Sequence, residues 1–172
     1  MLPRYRIVQF LRNLWDAPTQ VDLQLVRDYL PASLHSLFFC MTSADQAHSI
    51  RVCRALIEQG YRDPDLLSAA LLHDVGKTVI SPHILERVLY VLANQIAPER
   101  VLRWSEAEPR GWRRAFVIAL NHADWGADLV AEHGGSSTTV LLIRRHQSGP
   151  EPGQPESDLR LLSLLQAADG GN

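Results

Sequence analysis

Leu71-Leu72-His73-Asp74-Val75-Gly76-Lys77 is the stretch on which the reading of this chain turns. The residues before it, Leu66-Leu67-Ser68-Ala69-Ala70, continue the same apolar run. A helix that is apolar almost all round belongs at the centre of a bundle. This one runs into an imidazole, a carboxylate and, three residues on, a lysine. Burying an ionised aspartate and an imidazole costs several kcal/mol when they lack partners, and a divalent cation would offset that cost. Gly76 reads as the stop of the helix, which leaves His73 and Asp74 at a rim open to solvent and substrate.

Outward from this stretch, helix signals recur and strand signals do not. No long stretch alternates apolar and polar residues. Ser43 with Gln46 reads as a capping box. The helix it opens carries Ile50, Cys53, Leu56 and Ile57, and Gly60 stops it. Asp63-Pro64 reads as an N-cap followed by proline at the first helical position. Ser81-Pro82 opens a further helix with Ile84, Leu85, Val88, Leu89, Val91 and Leu92 on its buried side. Helices are also predicted over Arg113–His122, Asp124–His133, Ser137–Gln147 and Ser157–Ala168, and over 4–15 and 20–41, broken near Pro18 and Pro31. The predicted fold is all-α, a compact helical bundle. Residues 1–42 form an N-terminal helical extension packed on the core, and residues 43–172 a metal-binding domain.

Composition narrows the function. The chain has 172 residues, is 46% hydrophobic and carries a formal net charge of −2. It can bury a proper core, and it lacks the basic excess expected of a partner for a nucleic-acid duplex or a membrane. No apolar stretch is long enough to span a bilayer. Arg4, Arg6 and Arg12 interrupt every apolar run at the start, so no signal peptide is read there and the expected compartment is the cytoplasm. Cys40 and Cys53 fit no CxxC spacing and are expected to be reduced, buried thiols. The N-terminal helices offer a surface for a homo-oligomer.

A cation needs more than two ligands. His48, in the preceding long helix, and Asp169, at the end of the last one, extend the set to two imidazoles and two carboxylates. Manganese, iron, nickel, cobalt and zinc tolerate such a set, and magnesium stays on the list of expected divalent ions. Four protein ligands leave positions open for water and substrate.

The order His48, then His73-Asp74, then the distant Asp169 resembles the HD superfamily of metal-dependent phosphohydrolases over roughly residues 43–170. His73-Asp74-Val75-Gly76-Lys77 is close to that family's most specific string. Thr78-Val79-Ile80-Ser81-Pro82-His83-Ile84-Leu85 resembles the continuation in the HD-GYP branch. The resemblance implies an HD-type helical bundle and hydrolysis of a phosphomonoester or phosphodiester, nucleotide-derived, with one or two divalent ions. It also implies a second metal at His122 and His146, bridged to the first by Asp74. Two departures stand against the HD-GYP branch: Arg145-His146 replaces a His-His pair, and Gln147-Ser148-Gly149-Pro150 replaces the Gly-Tyr-Pro signature. In the implied mechanism Asp74 and Lys77 are the catalytic residues, Lys77 placing positive charge where charge builds in the transition state. Arg144 and Arg145, with Lys77, are the candidates for gripping phosphate oxygens.

Each residue also has an ordinary reading. His73 and Asp74 can be a helix-terminal capping pair, Asp169 a frayed last-turn residue, and Lys77 a cation satisfying terminal carbonyls. His48, His122 and His146, taken singly, can be hydrogen-bonded core histidines. His35, His83 and His133 are read as structural or surface residues. Trp15, Trp104, Trp112 and Trp125 are read as core or interface anchors. The alternative functions are a two-metal cyclic dinucleotide phosphodiesterase and a non-catalytic signalling module of the kind formed by the HDOD relatives, which commonly lose the ligands.

Overall fold

The structure is a computed structural model and describes residues 22–149 and 153–171. The segment predicted as a helix over 4–15, and Trp15 with it, lies outside the described residues. Those described are all-α: α1 (Leu23–Tyr29), α2 (His35–Cys40), α3 (Ser43–Glu58), α4 (Pro64–Leu72), α5 (Ile84–Ile96), α6 (Pro98–Ser105), α7 (Arg114–Glu132), α8 (Ser137–Arg145) and α9 (Glu156–Gly171). Short 3-10 turns cover Ala32–Leu34, Val75–Thr78 and Gly111–Arg113. No helix is long and apolar enough to cross a membrane, among the described residues.

Helix α4 is the centre. Every residue from Leu66 to Leu72 is buried, so no face of it meets water. Asp63 caps it, accepting from the backbone N–H groups of Asp65 and Leu66, and Pro64 supplies a preset first helical residue. Helices α3, α8 and α9 pack around α4, and α1 and α2 lie against its remaining side. Leu25, Val26, Leu30, Leu34, Leu37 and Phe38 thus belong to the same apolar cluster as Leu56, Leu66, Leu71 and Leu142. The core holds α3, α4, α8 and α9, which carry His48, His73, Asp74, His146 and Asp169, in fixed relation.

Several local readings need correction. The cap of α3 is Thr42, one residue earlier than Ser43: its hydroxyl accepts from the N–H of Asp45. Gln46 instead reaches back to the carbonyls of Phe38 and Met41. The two helices predicted over 113–133 are one continuous helix, α7. The helix after Ser81-Pro82 starts only at Ile84, and Leu85, Leu89 and Leu92 are exposed rather than on its buried side. Cys53 is buried, but Cys40 is exposed at the end of α2.

Gly76 has a different role from a helix stop. Helix α4 has already ended at Leu72, and Gly76 sits inside the 3-10 turn that follows. A Cβ there would lie 1.9 Å from the backbone oxygen of His122 and 2.6 Å from the backbone nitrogen of Gly126. Only a glycine lets the turn and α7 approach so closely. Gly126 answers it on α7, where a Cβ would stand 3.0 Å from the Gly76 nitrogen. This backbone-on-backbone contact sets the turn carrying Asp74 against the helix carrying His122.

Candidate metal centre

Six side chains from five segments converge. His48 comes from the middle of α3, His73 and Asp74 from the end of α4, His122 from the middle of α7, His146 from the C-cap of α8 and Asp169 from the last turn of α9. They form two groups, within each of which the possible ligand atoms lie within 4.8 Å of one another: His48, His73 and Asp169, then Asp74, His122 and His146. The imidazoles run edge to face, with centroids 5.2 Å apart for His48–His73 and His73–His146, and 5.3 Å for His122–His146.

Backbone carbonyls fix three of these rings. Nδ1 of His73 donates to Ala70 O (3.0 Å), Nδ1 of His122 to Ile118 O (3.1 Å) and Nδ1 of His146 to Ile143 O (2.7 Å). A carbonyl only accepts, so Nδ1 carries the proton and Nε2 turns its other face to the centre. All three Nε2 atoms are buried without a hydrogen-bond partner, as is Nδ1 of His48. Buried polar atoms are rarely left so. The three Nε2 atoms, with Nε2 of His48 against Asp169, surround two carboxylates as a cation site needs, and the nitrogen and oxygen donor set suits a first-row divalent ion.

Asp74 faces both groups. Its Oδ1 lies 3.4 Å from Nε2 of His122 and its Oδ2 3.7 Å from Nε2 of His73. Asp169 Oδ1 is 2.8 Å from Nε2 of His48 and 3.5 Å from Nε2 of His73. Lys77, one turn beyond Asp74, donates to its Oδ2.

The electrostatics follow from crowding these charges out of water. Burial pushes Asp74 up, but Lys77 and the imidazoles of His73 and His122 reverse this and hold it well below the ordinary carboxylate range. Asp169 behaves alike: burial raises it, and the hydrogen bond with His48 together with the nearby imidazole of His73 brings it well down. Burial pushes His73 down, but Asp74 and Asp169 outweigh it and lift its pKa to about 9. His146 falls to about 3, through burial and then through the charges of His73 and His122. Both carboxylates are thus held toward their ionised form and favour positive charge in the buried space between them.

The remaining candidates divide. Lys77 lines a cleft of about 260 Å³ together with Asp45, His48, Asp74, Arg87 and His122. Arg144 and Arg145 line a second, more polar hollow with His146 and Asp169. The Arg144 guanidinium is held on the outer face of α7 by Asp124 (3.1 Å) and Asp128 (2.6 Å). The other histidines stand apart from the cluster: His35 bonds Leu30 O, His133 bonds Leu129 O and His83 caps α5.

Two residues of the cleft were not singled out from the sequence. Asp45 is buried and accepts from the Thr42 hydroxyl (2.6 Å) and from both terminal nitrogens of Arg87 (3.1 and 3.0 Å). The available signals were an acid three residues before His48, on the same face of α3, and a lone cation, Arg87, inside the apolar run of α5.

A family model described as HD domain matches residues 46–170. No curated protein and no solved structure matches the chain.

Proposed function

The chain belongs to the HD domain family, and on that premise we propose that it is a metal-dependent phosphohydrolase acting on a nucleotide-derived phosphomonoester or phosphodiester. The observation that carries the reading is the set of buried, unpartnered imidazole nitrogens facing two ionised carboxylates.

His48, His73, Asp74 and Asp169 would hold the first divalent ion, and Asp74, His122 and His146 a second. A bound ion supplies Lewis acidity toward a phosphoryl oxygen and makes water acidic enough to ionise near neutral pH. The chain's own residues do the rest. Backbone carbonyls lock three imidazoles in one tautomer, so their donor atoms are aimed before anything binds. Lys77 holds its ammonium against Asp74 at the cleft, where negative charge grows on the phosphoryl oxygens during attack. The apolar side chains of Val91 and Ile118 on the cleft wall limit water at that point.

The two faces of Asp74 favour the two-ion form, and with it a second reading as a cyclic dinucleotide phosphodiesterase. A non-catalytic module is the contrasting class, and the complete ligand set speaks against it. The test is phosphate release from a panel of nucleotides and cyclic dinucleotides with manganese, iron, cobalt, nickel, zinc or magnesium, beside the metal content of the purified protein. Protein that takes up no metal and releases no phosphate from any of them would overturn the proposal.

A further inference from the structure

We infer that Arg87, fixed by the buried carboxylate of Asp45, is the guanidinium that grips the phosphate of the substrate; this rests on the hydrolase reading above. Arg87 sits on α5, across the cleft from α3, and shares the cleft lining with His48, Asp74, Lys77 and His122. Its side chain is 21% exposed and that of Asp45 6%. The Asp45 carboxylate takes one N–H from each terminal nitrogen, at 3.1 and 3.0 Å. That fork-to-fork contact holds the guanidinium plane still. A guanidinium has five N–H donors, so the Nε–H and the outer N–H of each terminal nitrogen remain for another acceptor.

Asp45 is no ordinary surface partner. It accepts from the Thr42 hydroxyl at 2.6 Å and lies 3.9 Å from the Lys77 ammonium, which itself bonds Asp74. Arg87, Asp45, Lys77 and Asp74 therefore form one chain of charge from the cleft wall to the metal ligands. Two carboxylates balance the two cations along it, so what Arg87 adds is a set of directed donors rather than excess charge. A rigid planar fork matches a phosphate oxygen pair, which a lysine point charge does not. Arg144, by contrast, spends its terminal nitrogens on Asp124 and Asp128. Asp45 touches no substrate in this scheme and is a positioning residue.

The experiment compares the metal-loaded parent with Arg87→Lys, Arg87→Ala, Asp45→Asn and the Asp45→Asn/Arg87→Lys double variant. Hydrolysis of bis(p-nitrophenyl) phosphate and p-nitrophenyl phosphate gives KM and kcat, and calorimetry gives the affinity for inorganic phosphate. Arg87→Lys is expected to raise KM and weaken phosphate binding about tenfold, with metal content unchanged and kcat within about threefold. Asp45→Asn is expected to move KM the same way, and the double variant to be no worse than Arg87→Lys alone. Unchanged KM and phosphate affinity in both Arg87 variants would overturn the inference, as would an Asp45→Asn variant that loses thermal stability while KM stays put. A parent that hydrolyses no ester yet loses phosphate binding on Arg87→Lys would sink the hydrolase reading and leave the Arg87 site standing. A parent that neither hydrolyses esters nor binds phosphate would sink both.

Discussion

Replacing His73 or Asp74 with alanine is expected to abolish metal uptake and activity while the chain still folds, because both lie at the end of α4 rather than in its packed body. Metal analysis beside circular dichroism checks this; an unfolded variant, or one with full metal content, would count against it. His146→Ala should cost one ion more than the other, since His146 belongs to the group with Asp74 and His122 and not to the one with His48 and Asp169. The lifted pKa of His73 gives a pH dependence with a definite sign. In metal-free protein the folded value, about 9, lies above the ordinary 6.5. The group's contribution to stability is then complete below about 6.5 and fades as pH rises through 9. Metal must displace that proton, so metal affinity should strengthen over the same window. Urea melts of chelated protein between pH 6 and 10, paired with metal titrations, test both arms. At the thiols, burial pushes Cys53 up to about 12, so iodoacetamide should label Cys40 and spare Cys53 in the folded protein. The residues that converge could be singled out from the sequence because each is a rare residue type at a helix end or on an apolar face. Asp45 and Arg87 could not be paired, because they stand 42 positions apart and nothing local links them.

At the scale of elements, α4 and α5 make a contrast. Every residue of α4 from Leu66 onward is buried, whereas α5 leaves Leu85, Leu89, Leu92 and Ile96 in solvent. Amide exchange is accordingly expected to be slowest in α4 and markedly faster in α5; equal protection would contradict this. The apolar pattern of α5 announced a helix correctly but not which face is covered, since its inner face lines a cleft with Arg87, Tyr90 and Val91. Asp124 looked like the cap of a new helix. Its side chain instead points out to Arg144, and the helix continues beneath it. The cap of α3 slipped by one because Thr42 and Ser43 are chemically equivalent candidates, and only backbone geometry chooses between them.

For the molecule as a whole, the cluster sets buried charges against one another, and a bound ion would relieve them. Chelation should lower the melting temperature by several degrees, and adding back a divalent ion should restore it; an unchanged melt would argue that no ion binds. The all-α bundle could be read from the apolar patterning, because helix periodicity is local. The contact between the turn at Gly76 and α7 could not be, since it joins segments far apart in the chain. Gly76→Ala tests that contact: the new methyl would meet the His122 carbonyl, which cannot yield as a side chain would. A stability loss of about 3 kcal/mol is expected, together with reduced metal content. The contact has a further consequence. With two main chains touching and no rotamer between them, the separation of Asp74 from His122 is set like a fixed jaw. A change of ionic radius must then be taken up on the opposite flank, where His48 and Asp169 are 17% and 29% exposed and have room to shift.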